Sequence, residues 1–140
     1  MIAYLDSSVL LRIVLGQPDS LKEWASIKVG VASHLVEVEC LRTLDRLRHT
    51  VGLSDQDLAL RRETMFQLLA ELHLVDLTKL VLNRASQPFP TPLGTLDAVH
   101  LATALLWREQ RGEELVMATH DGALTTAARA FGLPVIGVNS

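Results

Sequence analysis

The sequence has one cysteine, Cys40, in its 140 residues. A lone thiol forms no internal disulfide, and without companion cysteines it builds no cysteine metal site. That excludes the disulfide-stapled secreted scaffolds and implies a reducing, cytoplasmic setting. Aromatic residues are scarce at 4%, which makes base stacking a weak route to nucleic acid recognition. Positive charge is not in excess either. The formal net charge is -3, and neither end carries a block of like charges. Binding of nucleic acid through bulk positive charge is therefore excluded, and only a local basic strip is left for it. No apolar run approaches the length of a membrane span. The N-terminus lacks the basic segment and long apolar core of a signal peptide.

Apolar residues make up 49% of the chain and charged residues 21%, the composition of a folded globular protein. Its length suits one domain, residues 1–140, with a real core. Met1 to Val9 organises the rest. An apolar run stops at Asp6, with Ser7 and Ser8 directly behind it. So short a run, ended by a polar turn, reads as a buried strand of a parallel sheet. Ligands bind beyond the carboxyl ends of such strands, so Asp6 is expected at the lip of that crevice, on the central strand.

Further along, Ser7 or Ser8 is placed to cap a helix through Val9 to Leu15, with Gly16 as its stop. Pro18 suits the first turn of a helix over Asp19 to Ser26. Val29 to Ala32 is a second strand, and Ser33 an N-cap for a long helix from His34 to Val51, closed by Gly52. Ser54 opens another helix to about Leu72 in a capping-box pattern, giving a helical hairpin. Leu58, Met65, Phe66 and Leu69 exceed what one face of it needs, which fits either core packing or a partner surface. Leu74 to Leu77 is a third strand and Thr78 to Ser86 a helix, followed by a proline loop from Gln87 to Gly94. Thr95 caps a helix from Leu96 to Arg111. Leu115 to Ala118 is a strand, Gly122 to Phe131 a helix, and Pro134 to Val138 an edge strand. Strands alternating with helices predict an α/β fold: a central parallel sheet with helices on both faces.

Acids recur where a strand gives way to a helix. Asp6 follows the first strand, Glu37 and Glu39 open the helix after the second, and Asp121 follows the strand ending at Ala118. Asp97 begins the helix behind the proline loop. Each taken singly suits a helix N-terminus. Together they belong on one sheet edge, where unpaired carboxylates are costly unless a cation neutralises them. Oxygen ligands without histidine or cysteine clusters favour a hard ion, Mg²⁺ or Mn²⁺, one or two in number. Phosphoryl transfer or phosphodiester hydrolysis is the chemistry usually done there.

Four stretches carry a family resemblance. Tyr4-Leu5-Asp6-Ser7-Ser8-Val9 resembles the opening motif of PIN domains, and Ser33-His34-Leu35-Val36-Glu37-Val38-Glu39 their second. Leu93-Gly94-Thr95-Leu96-Asp97-Ala98-Val99-His100 with Leu101-Ala102-Thr103-Ala104 is the most specific match. Ala118-Thr119-His120-Asp121-Gly122-Ala123-Leu124 resembles the fourth. The likeness spans the chain in order, and at this length it is similar to the VapC toxins of toxin–antitoxin pairs. The resemblance implies a metal-dependent endoribonuclease, a homodimer restrained by a small cognate antitoxin, with Asp6, Glu39, Asp97 and Asp121 as catalytic metal ligands.

The residues themselves leave some roles open. Glu37 flanks the stripe Val36, Cys40, Leu44, Leu47 and Val51, and is the alternative ligand to Glu39. Glu39 shares a face with Arg42 and Arg46, which fits a surface ion pair or an RNA-phosphate contact beside the crevice. Ser7 can meet a phosphate or simply cap a helix. His100 is expected in the core or supporting Asp97, and Thr119 in a supporting turn. A rival reading keeps the fold but makes it a catalytically silent RNA-binding or scaffold protein. A receiver-type phosphoacceptor lacks support, having no acidic pair before the first helix. A haloacid-dehalogenase-like phosphatase requires an aspartate where Ser8 stands.

Overall fold

The computed structural model describes residues 1–138. Its five strands form one sheet in the order β3-β2-β1-β4-β5, and every pairing is parallel. These are β1 (Ile2–Leu5), β2 (Val29–Ser33), β3 (His73–Val75), β4 (Val116–Ala118) and β5 (Val135–Ile136). β1 is central, as its unbroken apolar run implies.

Alternation along β1 divides the core. Ala3 and Leu5 face a layer built from α1 (Ser7–Val14), α2 (Leu35–Thr50) and α3 (Asp55–Ala70), through Val9, Leu10, Val36, Cys40, Leu44 and Met65. Tyr4, one residue out of phase, belongs to the opposite layer with α5 (Thr95–Arg111) and α6 (Gly122–Ala130), through Leu101, Leu105, Trp107 and Leu124. A strand side chain reverses face at each step, so one strand anchors both layers. The short α4 (Lys79–Ala85) packs on α5. α2 and α3 pack together as the expected hairpin.

Several expectations need correction. Asp6, not Ser7 or Ser8, sits at the N-cap of α1, accepting from the Ser7 amide at 2.8 Å. Thr95 is the first residue of α5, and Gly94 holds its cap position. No helix spans Asp19 to Ser26; only a 3₁₀ turn at Trp24–Ser26 forms. Arg12 explains part of this, since its guanidinium binds the Asp19 carbonyl at 3.3 Å as well as the Asp19 carboxylate at 2.9 Å. A carbonyl so engaged is a poor helical acceptor, and a short helix has little cooperativity to resist. The apolar stripe of α2 ends early, because Val51 is exposed. The last strand is Val135–Ile136, shorter than expected. In the hairpin, Met65 and Leu69 are core while Phe66 is exposed.

Candidate active site

Four chain segments deliver their acids to the carboxyl edge of the sheet. Asp6 leaves β1, Asp121 follows β4 as the N-cap of α6, Asp97 lies in the first turn of α5, and Glu39 lies on α2. The parallel register Leu5↔Ala118 sets the ends of β1 and β4 side by side. The Asp6 amide donates to the Ala118 carbonyl at 3.1 Å and extends that pairing by one residue.

Asp6 is 4% exposed and fully engaged. Its Oδ2 accepts from Ser8 Oγ at 2.9 Å and from Thr119 Oγ1 at 2.8 Å. Thr119 Oγ1 in turn accepts from the Asp121 amide at 3.0 Å. Ser8 Oγ accepts from the His120 amide at 3.0 Å. Two hydroxyls therefore couple the strand that carries Asp6 to the turn that carries Asp121. Asp121 uses one oxygen to accept from the Leu124 amide at 2.8 Å.

Glu39 is placed from the opposite side. His100, fully buried on α5, meets Glu39 Oε1 with Nε2 at 2.5 Å and Tyr4 Oη with Nδ1 at 2.7 Å. The same Nε2 is 4.0 Å from Asp6 Oδ1. In the neutral ring the network assigns the proton to Nε2. Tyr4 then donates to Nδ1 and accepts from the Ser33 amide at 3.1 Å. His100 is the buried, hydrogen-bonded core residue expected, and the acid it orients is Glu39 rather than the alternative, Asp97. Burial alone lowers the pKa of His100, but its bond to Glu39 and the nearby acids outweigh this and raise it.

Burial pushes the Asp97 carboxyl up to about 6, from an ordinary 3.8; the charges of Asp121 and then Asp6 act in the same direction. Among the described residues, none of Asp6, Glu39, Asp97 and Asp121 forms an ion pair with lysine or arginine. Nor do three or more His, Cys, Asp or Glu side chains there stand close enough together to hold one ion. The donors are nevertheless hard carboxylate oxygens, whose repulsion is offset only in part by His100 beside Glu39 and Asp6, and oxygen donors of that kind suit a hard divalent cation.

Beside the acids, Ser7, Glu39, Arg42 and Arg46 line a groove of about 380 Å³ together with Leu96 and Val38. Arg46 donates to Thr43 Oγ1 at 3.0 Å and Glu39 meets His100, so the alternative of a Glu39–arginine surface ion pair does not form. Glu37 makes none of these contacts and lies a helical step away. Tyr4 and Ser8 are site residues that sequence reasoning missed. Tyr4 read as one more apolar strand residue, and Ser8 as a cap. Trp107 is core packing and Trp24 packs against the core edge.

An all-parallel sheet in this order, with Asp6, Glu39, Asp97 and Asp121 on its carboxyl side, defines an α/β domain with an acidic crevice. The PIN domain family model matches residues 3–129, and the chain belongs to that family. It is 33% identical over 137 residues to Ribonuclease VapC46 of Mycobacterium tuberculosis, covering 95% of each chain. Its fold is similar to VapBC2 of Rickettsia felis bound to a DNA fragment from their promoter, with TM-score 0.66, 14% identity and 96% and 97% coverage. It is also similar to a toxin–antitoxin complex from Klebsiella pneumoniae, with TM-score 0.65, 17% identity and 100% and 97% coverage.

Proposed function

We propose that this protein is a metal-dependent endoribonuclease, the toxin of a VapBC-type pair, acting in the cytoplasm as a single domain over residues 1–140. The observation that carries the reading is the carboxylate cluster itself: Asp97 is raised by burial and by Asp121 and Asp6, and among the described residues no lysine or arginine pairs with any of the four acids, His100 being the one basic side chain beside them. Asp6, Glu39, Asp97 and Asp121 would hold Mg²⁺ or Mn²⁺, one or two ions. A bound ion supplies Lewis acidity toward a phosphodiester and makes its water a stronger acid. Ser8 and Thr119 keep Asp6 in one rotamer, and His100 does the same for Glu39. Ser7, Arg42 and Arg46 receive the RNA backbone in the adjacent groove, where a local pair of arginines suffices despite the negative net charge.

The relatives' names and the assembly seen in the Klebsiella complex support a cognate antitoxin as partner. A homodimer is part of the same proposal. Purified, antitoxin-free protein is expected to cleave RNA with Mn²⁺ or Mg²⁺, and Asp6→Asn to abolish cleavage. The reading falls if the protein cleaves no RNA with either ion. It falls equally if Asp6→Asn preparations cleave as well as the parent, because the activity then belongs to a contaminant.

A further inference from the structure

A second recess opens on the far side of Asp6 from the arginine groove, at the carboxyl ends of β4 and β5. It is a polar pocket of about 250 Å³ whose charged walls are Arg12, Asp19, Lys22 and Glu23, with the His120 ring on one side. Two cations and two anions cancel there, and Arg12 is already bound to Asp19 at 2.9 Å. Pro18, Leu21 and Val138 supply apolar surface. A charge-balanced, partly apolar recess of that size suits a flat neutral heterocycle better than a phosphate group.

His120 gives the pocket a preference. Its Nδ1 lies 2.6 Å from the Gly137 carbonyl, which only accepts, so the ring proton is on Nδ1. In the neutral ring Nε2 is then an acceptor, and this buried atom has no hydrogen-bond partner among the described residues. Buried acceptors are normally satisfied. The wall opposite is irregular chain, tied by a Ser20 amide bond to Gln17 of 3.3 Å and a Trp24 amide bond to Leu21 of 3.4 Å, both long. Nε2 is itself buried, so an occupant of the recess meets it only when the surrounding chain shifts. The backbone of His120, not its ring, is tied to the acids, since its amide donates to Ser8 Oγ, which donates to Asp6 Oδ2.

We infer that this pocket takes an unpaired base of the RNA next to the scissile phosphate, and that His120 Nε2 accepts a hydrogen bond from the exocyclic amino group of an adenine or cytosine held there. The inference rests on the ribonuclease reading for its biological meaning, but binding tests it separately. Short RNAs are compared that differ at one position beside the cut: cytidine against 2-pyrimidinone riboside, and adenosine against purine riboside, each analogue lacking the amino group and gaining no ring N–H. The wild type with Mn²⁺ is expected to favour the amino-bearing base about tenfold in kcat/KM, the worth of one neutral hydrogen bond. His120→Asn keeps a donor for the Gly137 carbonyl and removes the distal acceptor, so this ratio should fall to about one while cleavage continues. Ser20→Phe, which fills the recess, should erase the same preference by a different route. Equal ratios in wild type and both variants overturn the inference and leave the nuclease reading standing. If the wild type does not cleave, fluorescence anisotropy of labelled RNAs with the Asp6→Asn protein decides. Amino-base discrimination that vanishes in Asp6→Asn/His120→Asn supports the pocket, and its absence removes it.

Discussion

Glu39 and His100 lie 61 residues apart in the chain and are joined by a 2.5 Å contact between Oε1 and Nε2. The histidine is fully buried and its other nitrogen is held by Tyr4, so Glu39 reaches the crevice on a rigid arm. His100 is therefore a positioning residue. His100→Ala should weaken Mn²⁺ binding, measured by isothermal titration calorimetry, by about 10–100-fold, as loss of an outer partner of a metal ligand usually does. His100→Gln, which can still donate to Glu39, should recover part of the loss. Equal Mn²⁺ affinity in wild type and His100→Ala would show that the contact is packing alone.

The acids also predict how stability depends on pH. The Asp97 carboxyl titrates near 6 in the folded protein and near its ordinary 3.8 when unfolded. Between those values the folded state holds more protons at this group, so its contribution to stability is fullest below about 4 and is lost as pH rises through 6. His100, raised as well, adds a loss in the same direction at higher pH. In EDTA the melting temperature should fall from pH 4 to pH 7. Mn²⁺ should flatten or reverse this slope by neutralising the ionised acids. A melting temperature that rises with pH in EDTA would refute the upward shift of Asp97, which burial and then the neighbouring acids produce.

Gly137 tests how tightly the site is braced from outside. Its φ of 106° belongs to glycine, and a Cβ there would stand 2.5 Å from the Thr119 carbonyl oxygen. Thr119 is the residue whose hydroxyl holds Asp6. Gly137→Ala should thus destabilise by more than the ~1 kcal/mol typical of point substitutions, and disturb Asp6 as well. Gly30→Ala is a useful contrast. Its added carbon meets side-chain methyls of Leu72 and Leu5 at 2.7 and 2.9 Å rather than backbone, and its φ is not positive. Denaturant melts of the two variants should rank Gly137→Ala as the more damaging, with a loss of metal affinity that Gly30→Ala lacks.

Much of this site was readable in advance because two periodicities carry it. The break at Asp6 after a continuous apolar strand, and its echo at Asp121 after Ala118, follow from parallel strands sharing one edge. Position along the chain says less about what touches what across layers. That His100 serves Glu39 rather than Asp97 depends on how α5 lies over β2, and no local pattern encodes that crossing. Tyr4 was hidden for a related reason: an aromatic residue in a strand reads as core, and its hydroxyl matters only once His100 and the Ser33 amide are in place. The stretch from Asp19 to Ser26 departs from its expected helix because proline and apolar spacing favour a helix only locally. A long-range contact from Arg12 claims the Asp19 carbonyl instead.

The arginine groove yields the last expectation. Arg42 and Arg46 lie one helical turn apart and line the recess that also holds Glu39 and Ser7. Neither is in an ion pair among the described residues, so both charges are available to phosphates. Each contact with single-stranded RNA contributes about -0.7 to the slope of log affinity against log salt. Arg42→Ala and Arg46→Ala should each lower RNA affinity alike for all sequences and reduce that slope by about this amount. Mn²⁺ affinity should be unchanged, because neither side chain touches an acid. Anisotropy titrations at several salt concentrations, using the Asp6→Asn background to prevent cleavage, measure the slope directly. An unchanged slope in the double variant would move the RNA path away from α2.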